Sequence, residues 1–179
     1  MKTIILCLVF TLPGMFSPRA TAQSDPGKVI EQMQKFNWMV GDWKGEAWYL
    51  GSDQQKTQIV QKEHIITRLD GAIITMEGTG YNIPEGTQEG KIVFQAFGIL
   101  TYDQYNSKFV LRAYQGGNFI DSDLTSNPDG SFSWGFDAGN GKMHYTLKIT
   151  PDGKWNETGE FSSDGTTWFK TFGMILSKI

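Results

Sequence analysis

The sequence is poor in the residues on which metal sites and covalent catalysis commonly depend. It contains one cysteine, Cys7, and two histidines, His64 and His144. A histidine zinc site usually needs two or three histidines at suitable spacing with a carboxylate or thiolate, and neither His-x-His nor His-Glu-x-x-His occurs. The serines also lack a Gly-x-Ser-x-Gly context. We therefore expect no metal and assign no catalytic residue.

A basic surplus is also missing. The formal net charge is −3, and it becomes about −5 if Lys2 and Arg19 are removed with a leader. Nucleic acids and anionic membrane surfaces are bound through clusters of Lys and Arg, so we expect neither as a partner. No segment after residue 22 approaches the length of a transmembrane helix. The sequence does not indicate an oligomeric state.

The first residues have the pattern of an export signal. "MKTIILCLVFTLPGMFSPRATAQ" has an early lysine, an apolar run too short to span a bilayer, and small residues at Ala20 and Ala22. These features predict a cleavable signal peptide over residues 1–22, with an uncleaved anchor as the alternative. The remaining residues, 23–179, contain no cysteine and are long enough to fold as one domain around their own core. We expect a secreted or periplasmic protein.

Hydrophobic periodicity predicts one short helix followed by strands. "DPGKVIEQMQKF" begins with Asp25 as a helix cap and Pro26 at the first helical position. After Trp38 the pattern changes to period two, interrupted by Asp-Gly and Asn-Gly dipeptides typical of turns. About ten strands are predicted, over residues 40–50, 56–69, 72–82, 91–102, 107–116, 118–125, 131–137, 142–150, 154–162 and 166–178.

This order of elements predicts an all-β fold. Turns at intervals of about ten residues favour antiparallel neighbours, because parallel strands need longer crossovers. One helix cannot cover so much sheet, so the sheet has to bury its own apolar face. We therefore expect an antiparallel up-and-down β-barrel, with a Greek-key sandwich as the alternative.

Alternation within the strands predicts which side chains point inward. "KMHYTLKIT" places Met143, Tyr145, Leu147 and Ile149 on one face and His144 on the other. The last strand places Trp168, Phe172, Met174 and Leu176 together. An apolar inner face does not by itself establish a pocket, since barrels of this size range from nearly filled to open.

The stretch around Gly41 and Trp43 resembles a known family. A short helix leading into Gly-x-Trp at the first strand is similar to the opening of the calycin barrels, the lipocalin and fatty-acid-binding group. "WMVGDWKGEAW", "GILTYDQYNSKFVLRAY" and the closing "ITPDGKWNETGEFSSDGTTWFKTFGMILSK" resemble the secreted DUF1579 family and, more distantly, nitrobindin-like barrels. The resemblance implies a lipocalin-like barrel of about ten strands and no settled activity.

Heme is the cofactor that the nitrobindin resemblance raises. Those barrels bind it through a histidine on a late strand, and "TWFKTFGMILSKI" has no histidine. His144 is predicted to face outward, and a lone Met174 is typical of core packing. We therefore expect no cofactor.

Tryptophans near the first strand have a structural interpretation. Gly41 permits a sharp turn from helix to strand, and Trp43 behind it can close the narrow end of the barrel. Trp38 is expected to pack the helix against this base. Gly45 and Ala47 would keep the inner side of the strand small.

Acidic residues provide the alternative function, an enzyme acting on a small molecule. Glu46, Glu63, Glu77, Glu157 and Glu160 recur along the strands, and two carboxyls flanking a lumen can serve as general acid and base. Glu63 is the best candidate, because the face without cations is the predicted inner face. A solvated carboxylate, or one paired with Arg68 or Arg112, is the simpler alternative.

The function that we favour from the sequence is non-enzymatic binding of a small hydrophobic molecule in the lumen. A third hypothesis is a ligand-free barrel that binds another protein through an outer patch of Trp48, Phe97 and Tyr114. Burial of apolar ligand surface would drive lumen binding, and one or two polar groups would orient the ligand. The predicted lining residues are Tyr49, Gln61, Glu63, Ile74, Met76, Phe94, Leu111, Trp134, Tyr145, Phe172 and Met174.

Overall fold

The computed structural model describes residues 25–82 and 90–179. Helix α1, Pro26–Met33, continues as a 3₁₀ turn over Gln34–Met39. The leader predicted over residues 1–22 lies outside the described residues. Ten strands follow: β1 Gly41–Leu50, β2 Lys56–Arg68, β3 Ile73–Asn82, β4 Lys91–Asp103, β5 Lys108–Gln115, β6 Asn118–Ser126, β7 Phe132–Asp137, β8 Lys142–Ile149, β9 Trp155–Ser162 and β10 Phe169–Lys178.

The strands form one closed antiparallel barrel. Each pairs with its neighbours in sequence, and β1 also pairs with β10 to close the sheet. In β1, Gly45 lies opposite Gln61 on one side and Leu176 on the other. The predicted up-and-down barrel is confirmed, and the Greek-key sandwich was the wrong alternative. Closure removes the unpaired edges that an open sheet would expose.

Turn residues determine where the strands end. Gly130, Gly153 and Gly165 all have positive φ, at 81°, 76° and 74°, a region that a glycine adopts without the steric penalty of a Cβ. Between β2 and β3, the Ala72 amide donates to the Leu69 carbonyl at 3.0 Å across Asp70-Gly71. The predicted turns therefore lie where the sequence indicated, and the strand bounds agree within about three residues.

Helix α1 closes one end of the barrel. Asp25 caps it by accepting hydrogen bonds from the Gly27 and Lys28 amides. Phe36, on the 3₁₀ turn, is fully buried and packs against Phe109 and Phe132, with ring centroids 4.9 and 4.5 Å away. No helix among the described residues is long and apolar enough to cross a membrane.

Three indoles complete this closed end. Trp43 is 2% exposed, and its Nε1 donates to the Met39 carbonyl at 2.6 Å. Its ring lies edge to face with Trp38 and Trp155, at centroid distances of 6.4 and 6.0 Å. Gly41 turns the chain into β1 with φ of 123°, a conformation that strains residues with a Cβ.

The pairing between β6 and β7 is short. Only Thr125 with Ser133 and Ser126 with Phe132 pair there among the described residues, whereas β5 and β6 pair over seven positions. Beyond these two pairs the strands stay adjacent without backbone pairing, and the Ser122 side chain of β6 bonds to the Gly135 backbone of β7. The barrel wall therefore has a seam along β6 and β7.

One predicted inner residue on the last strand does not belong to the lumen. Trp168 precedes β10, is 38% exposed, and lies edge to face against the outward-facing His144, 5.7 Å away. A register shift between Lys170 and Phe172 breaks the alternation. Because a bulge adds a residue on one strand, the sequence period no longer reports the face on its far side.

Candidate functional site

Strand β2 shows how the barrel sorts its side chains. Gln61 and Ile65 are buried, and Lys62 and His64, between them, are exposed. The face that carries Gln61, Glu63 and Ile65 therefore points into the barrel, as the absence of cations on it predicted. His64 lies on the outer surface, where its Nδ1 is 2.6 Å from Asp42 Oδ1.

Small residues make room in the lumen. Between Trp43 and Tyr49, the inner face of β1 carries only Gly45 and Ala47. On β3, a Cβ at Gly78 would lie 2.8 Å from Glu63 Oε1, closer than a methyl group can approach a carboxylate oxygen. The Glu63 carboxyl therefore occupies space that a larger side chain at residue 78 would fill.

The predicted lining residues divide into a packed group and an accessible group. Gln61, Ile74, Leu111 and Met174 are buried, and Ile74 has no exposed surface at all. Ile74 therefore packs in the core and does not line free space. The partly accessible group comprises Tyr49, Glu63, Met76, Phe94, Trp134, Tyr145 and Phe172.

Accessibility in the middle of the strands indicates space inside the barrel. Glu63 lies between Gln61 and Ile65 on its face of β2, and both neighbours are buried, yet Glu63 itself is partly accessible. Met76 shows the same pattern between Ile74 and Gly78. Interiors that are fully packed leave few voids larger than a water molecule. The lumen therefore retains room beside these side chains.

Two carboxyls converge in this space. Burial raises the pKa of Glu63 to about 7, and a hydrogen bond from Gln61 Nε2, 2.7 Å long, partly opposes the rise. Burial, reinforced by the negative charge of Glu63, raises the pKa of Glu157 to about 8. Since two buried like charges disfavour each other, the pair holds at least one proton near neutral pH.

The surroundings of Glu157 leave polar atoms unmatched. The Trp134 and Trp155 indoles lie near enough to favour its ionised form, but Trp155 Nε1 makes no hydrogen bond of good geometry. Trp155 Nε1 therefore interacts with the Glu157 carboxyl without a well-aligned hydrogen bond. Gln61 Oε1 is likewise buried without a partner, although buried polar groups are normally paired.

The arginine pairing considered for Glu63 is not present among the described residues. Arg112 forms a two-bond ion pair with Asp121 on the outer surface, at 2.6 and 2.7 Å. Arg68 is exposed at the end of β2. Both arginines occupy outward-facing positions of their strands, so neither side chain reaches the lumen.

Aromatic rings line the wall next to the acids. Trp134 and Tyr145 stack with centroids 4.3 Å apart and planes 9° from parallel. Phe136 extends this stack and Phe172 meets Tyr145 edge to face at 6.0 Å. Burial, reinforced by the charge of Glu157, raises the pKa of Tyr145 to about 12. Tyr145 therefore remains a neutral phenol beside the carboxyls.

The seam between β6 and β7 carries two depressions on the barrel surface. Two adjoining clefts of about 510 and 570 Å³ lie along it. Their linings include outward-facing Asp121 and His144 together with inward-facing Ser122, Trp134 and Phe136. Residues of both faces of the sheet therefore border the two clefts.

Ser122 joins the two strands where their backbones no longer pair. Its Oγ donates to the Gly135 carbonyl at 2.8 Å and accepts from the Gly135 amide at 3.1 Å. We expect Ser122→Ala to lower the free energy of unfolding by about 1–3 kcal/mol, because both backbone groups lose their partner. Urea denaturation measures this loss, and amide exchange at Gly135 should accelerate.

Ser177→Ala is the matched control, since Ser177 is exposed on β10. It should change the stability by less than about 0.5 kcal/mol. Equal effects of the two substitutions would show that Ser122 does not hold the seam.

Among the described residues, no group of three or more His, Cys, Asp and Glu side chains is placed to hold a metal ion. His144 faces outward, as predicted. Glu157 and Trp155 were not among the predicted lining residues. The alternation in "WNETGEF" carries the missing signal, since Trp155, Glu157, Gly159 and Phe161 share one face between outward polar residues.

The outer aromatic patch suggested by the sequence is not continuous. Phe97 and Tyr114 lie 6.3 Å apart and Phe119 extends this pair. Trp48 lies on β1, packs over Gly173 and is covered by Lys56. Strands β2 and β3 separate it from the other three rings.

Comparison with solved structures supports the fold. Rv2717c from M. tuberculosis is similar with a TM-score of 0.58 and 9% identity, over 82% of this chain and 96% of that chain. The S-type phycobiliprotein lyase CPES from Guillardia theta has a TM-score of 0.54 and 11% identity, over 84% and 93%. No protein-family model matches the sequence, and no curated protein matches it. At these identities the likeness concerns the lipocalin-like barrel fold alone.

Proposed function

We propose that this barrel binds a small, mainly apolar molecule in its lumen, with Gln61, Glu63 and Glu157 as polar anchors. The observation that carries the proposal is free space beside buried side chains at mid-barrel, where Glu63 and Met76 remain accessible. Ligand sites of this kind are apolar cavities with a few polar groups that fix orientation. We propose that the ligand enters at the β6–β7 clefts, whose linings include the lumen residues Trp134 and Phe136.

We further propose that the chain is an exported member of the DUF1579 family. The Gly41-Asp42-Trp43 opening and the leader-like first 22 residues support this. An exported binding protein meets its ligand outside the cytoplasm, and a closed barrel gives a poorly soluble molecule shelter from water.

Binding can be tested with a variant that fills the lumen. Ala96 faces inward on β4 and is partly accessible, whereas its neighbour Gln95 faces outward. We expect the native protein to bind an environment-sensitive apolar fluorophore, and Ala96→Leu to weaken this binding at least tenfold. That corresponds to about 1.4 kcal/mol, the scale of one displaced apolar contact. Fluorescence titration gives both dissociation constants.

Gln95→Leu serves as the control, since it adds the same side chain to the outside. It should bind the fluorophore like the parent. Native mass spectrometry of the purified protein, followed by organic extraction, would identify any molecule that co-purifies. A protein that carries no ligand and does not respond to apolar probes would contradict the proposal.

The convergence of Glu63 and Glu157 favours one alternative, an enzyme that uses lumen carboxyls as acid and base. General acid-base catalysis works best when a catalytic pKa lies near the working pH, and both pKa values are raised toward neutrality. Incubating the extracted molecule with the protein separates the two functions. A carrier returns it unchanged, whereas an enzyme changes its mass.

A further inference from the structure

The acid pair of the lumen lacks a cationic partner. Besides burial, the group that shifts the pKa of Glu63 is Gln61. The groups that shift the pKa of Glu157 are two indoles and the charge of Glu63. The four ion pairs found in the described residues all lie on exposed side chains. Buried carboxylates are normally paired with a cation or coordinate a metal. The missing positive charge therefore has to come from outside the described chain if both acids ionise.

Hydrogen-bond acceptors also exceed donors at this site. The ionised carboxyls of Glu63 and Glu157 accept hydrogen bonds only. Gln61 Oε1 is a third acceptor. Gln61 is only 3% exposed, and this oxygen has no hydrogen-bond partner. The donors beside them are Gln61 Nε2 and the indoles of Trp134 and Trp155. An occupant that matches this site has to bring several donors to one point.

The neighbouring wall favours positive charge as well. Trp134, Tyr145 and Phe172 lie beside Glu157 and present aromatic rings to the lumen. Aromatic faces attract cations through the ring quadrupole, most strongly when water is excluded. A carboxyl pair flanked by such rings suits an ammonium group attached to an apolar body.

We propose that the lumen selects apolar molecules that carry a basic amine, with the ammonium between Glu63 and Glu157. This inference rests on the proposed function, since it names the class of ligand that the same lumen takes. The ammonium donates up to three hydrogen bonds, and its natural acceptors are the two carboxylates and Gln61 Oε1. The apolar body lies along Met76 and the aromatic wall.

Proton release is the signature of this arrangement. Glu63 from β2, Glu157 from β9 and Tyr145 from β8 are titratable groups that face the site, and Tyr49 faces the lumen from β1, opposite Phe172 of β10. The inner faces of β3, β7 and β10 contribute glycine, methionine and aromatic side chains there. Tyr145 stays neutral, and the two carboxyls are the groups whose pKa values are raised toward neutral pH. An ammonium favours their ionised forms, and binding near pH 7 therefore releases protons to the buffer.

The experiment compares three matched probes: 4-phenylbutylamine, 4-phenylbutan-1-ol and 5-phenylpentanoate. Isothermal titration calorimetry at pH 8 should show the amine binding at least tenfold more tightly than the alcohol, and the carboxylate least. Between pH 6 and pH 8 the affinity for the amine should rise. Titrations in buffers of different ionisation enthalpy should show net proton release for the amine and none for the alcohol.

Three variants test whether the preference for the amine depends on Glu63 and Glu157. Glu63→Gln and Glu157→Gln should reduce the preference for amine over alcohol to threefold or less. Glu160→Gln, on the outward-facing side of β9, should preserve it. If a lumen variant does not fold, the probe comparison and the proton release of the parent protein decide the question.

Two contrary outcomes are distinguishable. Alcohol that binds as tightly as the amine would overturn the amine inference and leave lumen binding intact, with the acids acting as neutral donors. Failure of all three probes, together with an unchanged fluorophore response in Ala96→Leu, would contradict the proposed function as well.

Discussion

The free energy of unfolding is expected to fall as the pH rises from 5 to 8. Burial raises the pKa of Glu63 from 4.5 to about 7 and that of Glu157 to about 8. Between pH 4.5 and 8 the folded protein therefore holds protons that the unfolded chain has released. Stability declines with pH wherever the folded state binds more protons. Above about pH 8 both states are ionised and the decline ends.

The expected size makes this effect measurable. One pKa unit corresponds to about 1.36 kcal/mol, so Glu63 alone would lower the stability by roughly 3 kcal/mol over this range. Glu157, whose pKa is raised about one unit further, adds a larger loss, and both are large against a typical total of about 5–15 kcal/mol. Urea denaturation at half-unit pH intervals, followed by circular dichroism, gives the profile.

Neutral isosteres identify the groups responsible. The double variant Glu63→Gln/Glu157→Gln should lose most of the decline and should be more stable than the parent at pH 8. Glu160→Gln keeps both lumen acids, so its profile should follow the parent. Parallel profiles for the parent and the double variant would show that these carboxyls are solvated and that burial does not raise their pKa values.

Local sequence patterns predicted the strands well because each strand is bounded by its own turn. Gly130, Gly153 and Gly165 adopt the positive φ that ends a strand, and such residues are recognisable without knowing the fold. Alternation then identified the inner face of β2, including Glu63. These properties depend on neighbours in sequence, so a single sequence reports them.

The partners of the site depend on closure of the barrel. Glu63 lies on β2 and Glu157 on β9, with β1 and β10 between them. Alternation reports the face of each residue, but the barrel tilt and stagger decide which inner residues meet. For the same reason the sequence could not separate Ile74, packed at the closed end, from Met76, which borders free space.

The seam and the bulge escaped prediction for a related reason. Strands β6 and β7 both alternate regularly, and nothing in either one indicates that only two residue pairs join them. The register shift between Lys170 and Phe172 similarly arises from pairing with β9. Both features arise from how two strands pair, and the sequence of one strand alone does not determine that pairing.

Replacing Trp43 by alanine is expected to lower the free energy of unfolding by about 3–5 kcal/mol, the usual cost of removing a buried tryptophan. Trp43 is 2% exposed at the closed end, and its removal leaves a cavity beneath Trp38 and Trp155. The Met39 carbonyl also loses its 2.6 Å hydrogen bond. Because helix and barrel meet at this ring, the substitution should also loosen the 3₁₀ turn Gln34–Met39.

Trp48→Ala provides a control with the same change of side chain. Trp48 lies on the outer face of the same strand and packs over Gly173, with the Lys56 ammonium 4.3 Å from its ring centre. A partly exposed indole loses less on removal, so we expect about 1–2 kcal/mol. Guanidinium denaturation compares the two variants, and amide exchange in residues 34–39 should accelerate only in Trp43→Ala. Equal losses in both would mean that the indole at the closed end contributes no more than surface packing, and that the helix is held by Phe36 and its neighbours.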